Sequence, residues 1–273
     1  MNPRKLLEQY GIHPRRDLGQ NFLHDPGILA RIVQLAALAP DDTVLEVGPG
    51  TGALTRRLAD AAARVVAVES DERLMPLLRR QTADLPNVAL VHADILSVDV
   101  GALVGDEPFK VVANLPYYIT SAILRRLLEK PPRPQRLTLT VQREVAERLV
   151  AAPGDMSLLA VGVQFYGMPQ VRLRVKRGAF WPAPEVESAV VCIDVYDTPP
   201  VLVDDERQFF RVVRAGFSQK RKQLRNALAS GLALDATAVA AAMIGAGVAP
   251  ERRAETLSLS EWAALARALS PSL

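Results

Sequence analysis

VLEVGPGTGALT, residues 44–55, decides the fold. An apolar run carrying a single acid, Glu46, stops at glycine and gives way to helical spacing. That is the pattern of a strand turning straight into a helix. The glycines fall at Gly48, Gly50 and Gly52, a GxGxG spacing that differs from the GxGxxG of dinucleotide binders. Bare backbone at a strand end lets a ligand approach where no side chain blocks it. A glycine turn alone is often only a tight connection, so its neighbours decide.

Outward from this turn the chain alternates. Strands are predicted at RVVAVES (64–70), NVALVHAD (87–94), FKVVANLPYY (109–118) and RLTLTVQ (136–142). Helices are predicted over 27–39, 53–63, about 71–84, 121–130 and 143–152. Strands alternating with helices argue for an α/β, doubly wound, mostly parallel sheet. After about Val171, VRLRVKRG (171–178) and AVVCIDVY (189–196) read as an antiparallel addition at the sheet edge. DTPPVLVDD (197–205) reads as a linker, and the chain beyond residue 205 has only helical runs. The expected domains are therefore 1–200, catalytic, and 201–273, small and helical.

The 273 residues are 49% hydrophobic and 23% charged, which excludes a mostly disordered chain. One cysteine excludes an intramolecular disulfide framework, and three histidines without mutual spacing argue against a metal site. The first residues lack a signal peptide's apolar core, and no run suits a membrane span. A soluble, cytoplasmic protein is expected, without metal or membrane. The net charge of +3 is weak evidence for a polyanion partner.

The chemistry-bearing residues gather at successive strand ends. Glu69 closes the second strand, where a carboxylate can accept from both ribose hydroxyls. Asp94 ends the third and can accept from an adenine amino group, while the Ile95 amide donates to the ring. With Gly48 and Gly50 these read as a site for an adenosine without a pyrophosphate. Each acid alone would more often be a helix cap.

Asn114-Leu115-Pro116-Tyr117 follows the fourth strand and suits an exocyclic aromatic amine. Such a nitrogen is a poor nucleophile because its lone pair is delocalised into the ring. The Asn114 side-chain oxygen and the Leu115 carbonyl can bind its two hydrogens, localising the lone pair and aiming it. Pro116 fixes the turn without a competing amide hydrogen, and Tyr117 offers a face for an extruded base. The bland alternative is a proline turn with a buried tyrosine.

These motifs resemble the ribosomal RNA adenine dimethyltransferases. The resemblance rests on LGQNFL (18–23), EVGPGTGALT (46–55), HADIL (92–96), NLPYYITSAIL (114–124), QREVAERL (142–149) and FWPAPEVESAV (180–190). FSQKRKQLRNAL (217–228) and ERRAETLSLSEW (251–262) favour the small-subunit branch over the macrolide-resistance branch that modifies the large subunit. The resemblance implies a Rossmann-like class I fold using S-adenosylmethionine. It also implies that Asn21 and Leu23 fold over the cofactor, that Gly48 lies near its methionine end, that Asn114 contacts both the cofactor and the target amine, and that Phe180 flanks the flipped adenine with Tyr117. The implied substrate is 16S rRNA in the small (30S) ribosomal subunit, where two adjacent adenosines of the 3′-terminal hairpin loop are dimethylated, with a role in subunit biogenesis by a monomer. Glu185 stands where the family more often has lysine, which puts one phosphate contact in doubt.

For the RNA itself, Arg207, Arg211 and Arg214 share a helical face, followed by Lys220, Arg221, Lys222 and Arg225. A solvated helix face is the plain alternative. Arg172, Arg174 and Lys176 line one side of a strand, and Cys192 reads as core. The rival functions are a ribosome-assembly factor that binds RNA on this scaffold and a nicotinamide-dependent dehydrogenase. The GxGxG spacing and the NLPY turn count against the latter.

Overall fold

Five of the apolar runs become parallel strands; four are buried along most of their length, and the fifth, Val88–His92, lies at the sheet edge and is half-buried. A computed structural model describes residues 2–15, 18–219 and 221–270. In chain order the strands are β1 (Phe22–Leu23), β2 (Thr43–Val47), β3 (Arg64–Glu69), β4 (Val88–His92), β5 (Phe109–Asn114), β6 (Arg136–Gln142), β7 (Gly167–Val175), β8 (Phe180–Trp181) and β9 (Ser188–Val195). The helices are α1 (Pro3–Gln9), α2 (Pro26–Ala36), α3 (Ala53–Ala59), α4 (Met75–Gln81), α5 (Val100–Val104), α6 (Thr120–Glu129), α7 (Arg143–Leu149), α8 (Leu158–Tyr166), α9 (Glu206–Phe217), α10 (Leu224–Leu232), α11 (Ala236–Gly245) and α12 (Leu259–Leu269).

The main sheet runs β4-β3-β2-β5-β6-β9-β7. β2 to β6 pair in parallel, and β9 lies antiparallel to β6. From β2 the chain winds outward through β3 and β4, then returns to place β5 on the other side of β2. That reversal opens a crevice at the carboxyl ends of β2 and β5, where sheets of this kind receive ligands. A separate ribbon pairs β1 with β8 antiparallel, Leu23 opposite Phe180 and Phe22 opposite Trp181.

Local differences from the expected elements have local causes. The helix predicted over 71–84 begins as a 3-10 turn at Glu72–Leu74, and the α-helix proper starts beside Pro76, a residue suited to a first turn. α2 stops at Ala37, whose φ of 50° is left-handed, rather than at 39. The third strand ends at His92, so Asp94 lies in the turn beyond it. α1, α5 and α8 are not among the predicted helices, and α5 has only five residues.

The chain divides into two compact units, Met1–Ala146 with Met168–Val195, and Glu147–Gly167 with Tyr196–Leu273. The second takes in α8, which falls inside the 1–200 domain expected from sequence. The reason is aromatic: Phe165 stacks on Phe209 at 4.9 Å between ring centroids, and Tyr166 stacks on Phe210 at 5.7 Å. These rings lie in a helical unit closed by Trp262, which is fully buried. Its last helix carries a capping box between Ser258 and Glu261. Cys192 is buried against Thr138 in the strand pair β6–β9. Among the described residues no helix is long and apolar enough to cross a membrane.

Candidate active site

The glycine turn is built by backbone conformation. Gly48 and Gly50 have φ of +71° and +59°, a left-handed region that side chains disfavour. A Cβ on Gly50 would also stand 3.0 Å from the Phe22 ring, so the turn is pressed against β1 from above. Glu69 ties it from below. Its carboxylate accepts from the Gly50 amide at 3.1 Å and from the Asp71 amide at 2.9 Å. Burial raises the Glu69 pKa and those two amide bonds oppose the rise. Asp71 in turn accepts from the Gln20 side chain at 2.7 Å, clasping the segment before β1 to the end of β3.

Beneath the turn lies Glu46, only 1% exposed. Burial, reinforced by the nearby Glu69 carboxylate, pushes its pKa up to about 8. One of its oxygens has no hydrogen-bond partner. Asp94 is exposed and caps the following turn, accepting from the Leu96 amide at 2.9 Å, while Ile95 is buried beside it.

Asn114 is the last residue of β5. Its amide nitrogen donates to the Asn21 carbonyl at 3.0 Å, which leaves the side-chain oxygen as the acceptor. Leu115 is anchored by its amide to the Thr140 carbonyl at 3.1 Å. Pro116 accepts from the Thr120 hydroxyl at 3.1 Å and leads into a 3-10 turn, Tyr117–Ile119. The Tyr117 hydroxyl is 2.7 Å from the Ser188 hydroxyl, and Tyr118 is 60% exposed.

Most of these groups line one open cleft, about 1060 Å³ with the solvent-open space at its mouth included. It brings together Asn21, Leu23, Gly48, Gly50, Glu69, Asp94, Ile95, Asn114, Leu115, Pro116 and Tyr117. Phe180 is not among its walls. It is 3% exposed, packed in the core with Leu23, Val175 and Val190, because the β1–β8 pairing turns it inward. The cleft carries three carboxyl groups, Glu46, Glu69 and Asp94, and no lysine, arginine or histidine among its described lining.

The family model for ribosomal RNA adenine dimethylase matches residues 12–270. The chain belongs to that family. It is 46% identical over 260 residues to the ribosomal RNA small subunit methyltransferase A of Dehalococcoides mccartyi strain CBDB1, covering 95% of this chain and 89% of that one. The protein of the same name from Geobacillus kaustophilus is 42% identical over 278 residues, covering 98% and 95%. Among solved structures, the 23S rRNA methyltransferase ErmE superposes with a TM-score of 0.72 at 32% identity, covering 92% of this chain and all of that one. A dimethyladenosine transferase from Plasmodium falciparum shares the fold, with a TM-score of 0.77 at 23% identity and coverage of 92% and 98%. The fold is that of the class I S-adenosylmethionine-dependent methyltransferases.

The dimethylase family's cofactor suits this donor set. The side-chain-free glycine turn, the Glu69 carboxylate at the end of β3 and the unpartnered Glu46 oxygen suit an adenosyl group carrying positive charge. Glu46 stood in the quoted motif, and an acid amid a buried strand was the signal that could have marked it. Gln20, Asp71 and Ser188 had no such signal, since each acts through a contact distant in sequence. In the helical unit, Arg207, Arg211 and Arg214 are exposed on α9 opposite its buried Phe209, Phe210, Val212 and Val213. Arg221 and Lys222 are exposed and Arg225 is half-buried. Lys220 lies outside the described residues.

Proposed function

We propose that this enzyme uses S-adenosylmethionine to dimethylate the exocyclic amines of two adjacent adenosines in the 3′-terminal hairpin loop of small-subunit rRNA, during subunit biogenesis. The observation that carries the reading is the orientation of Asn114. With its nitrogen committed to Asn21, its oxygen is free to accept one hydrogen of an incoming amine, and the Leu115 carbonyl would accept the other. The two acceptors draw the lone pair out of conjugation and set its direction, so catalysis is chiefly positioning. Bound at this site, the cofactor would supply an electrophilic methyl group on a sulfonium. Glu69 would hold its ribose, Asp94 and Ile95 its adenine, and the Gly48–Gly50 turn its methionine end. Tyr117 would give the target base a wall. Once methylated, the target nitrogen would carry a positive charge and release its proton to solvent.

The small subunit is favoured over the large because the relatives at 46% and 42% identity carry the small-subunit name, against 32% for the 23S enzyme. The test is transfer of radiolabelled methyl groups to unmethylated small and large subunits, followed by nucleoside analysis. Dimethyladenosine in small-subunit RNA alone is expected; label in the large subunit would overturn the choice.

A further inference from the structure

Tyr117 begins a single 3-10 turn, and no side chain caps that turn. That turn runs directly into α6, so the backbone is held, and the ring still has two torsions to fix. One tip contact fixes both: its hydroxyl lies 2.7 Å from the Ser188 hydroxyl. Ser188 is fully buried and opens β9, opposite Gln142 on β6. That corner is braced further, since the Arg143 amide donates to the Glu187 carbonyl at 3.0 Å and their side chains form an ion pair at 3.2 Å. The serine therefore sits on rigid sheet, while the tyrosine reaches from the 3-10 turn that leads into α6.

Neither hydroxyl is placed for chemistry. Each satisfies the other in a site where an unpaired polar group would be costly. The contact also removes the phenol from proton transfer and leaves the ring face as its working surface. We propose that Ser188 is a positioning residue for the target base: it holds the Tyr117 ring at the angle against which an extruded purine stacks. This rests on the function proposed above. Ser188 acts only through Tyr117, so its loss should alter the productive fraction of bound RNA and leave the cofactor site alone.

The test compares Ser188→Ala, Tyr117→Phe and the double variant in steady-state methyl transfer, with cofactor affinity by calorimetry and melting temperature alongside. Each single variant is expected to lower kcat about three- to tenfold, the worth of one hydrogen bond. Cofactor affinity should be unchanged, and the double variant should be no slower than the singles. Tyr117→Phe keeps the ring and removes the same bond without opening space, so it serves if Ser188→Ala fails to fold. Wild-type kcat in either single variant, or losses that multiply in the double, would overturn the proposal. Whether the wild type modifies small-subunit RNA is read separately, so failure of the function and failure of this role are told apart.

Discussion

At the scale of single residues, Asn114 has two ends with two jobs. Its nitrogen is held by a main-chain carbonyl, and its oxygen is thereby turned to the substrate. Asn114→Ala should fold normally and bind cofactor within a few-fold of wild type, yet lose about a hundredfold or more in kcat. Circular dichroism, calorimetry and labelled methyl transfer check the three parts. Glu46 makes a pH prediction. Its folded pKa, about 8, lies above the ordinary 4.5, so the native state binds the proton more tightly than the unfolded chain. The stability from that proton is fully present below pH 4.5 and is lost as pH climbs through 8. Urea unfolding should therefore show Glu46→Gln matching wild type near pH 5 and exceeding it above pH 8, by roughly a few kcal/mol at most.

Elements rather than residues hold the cleft in shape. The glycine turn is fixed by left-handed φ angles, by Phe22 on one side and by Glu69 on the other. Gly50→Ala adds a methyl group against the Phe22 ring and strains φ. It should lower stability by about 1–3 kcal/mol and weaken cofactor binding at least tenfold, as thermal melts and calorimetry would show. The parallel strands were legible because a buried strand must be apolar along its length, and the turn because only glycine tolerates those angles. The β1–β8 ribbon was not legible. Its two residues per strand are too few for alternation to register, and its partners are remote in sequence. That is why Phe180, expected beside the target adenine, is found packed behind Leu23.

For the molecule as a whole, a net charge of only +3 conceals a sorting of charge. The cleft in one unit holds acids and no described cation, while α9 and the segment after it, in the other, expose arginines and a lysine. RNA affinity should fall steeply with salt, and cofactor affinity should hardly change. Replacing Arg214, Arg221 and Lys222 together by glutamine should flatten the salt dependence of RNA binding, by up to about one logarithmic unit for each phosphate left without its cation. Filter binding across a salt series checks this. The sorting was half visible in sequence: the basic cluster is contiguous, whereas the three cleft acids come from separate strand ends. α8 is not predicted from sequence, and its place in the helical unit rests on ring contacts with α9, far away in the chain.

The short ribbon has a consequence for the order in which the enzyme matures during its own synthesis. Asn21 orients Asn114 from a segment whose hold on the body includes the pairing of Phe22 with Trp181 and the His24 amide bond to the Ala179 carbonyl. A nascent chain emerging from the ribosome could complete its central parallel strands well before those later residues appear. Competence would then arrive late, in one stroke, when the far strand of the ribbon closes over the near one.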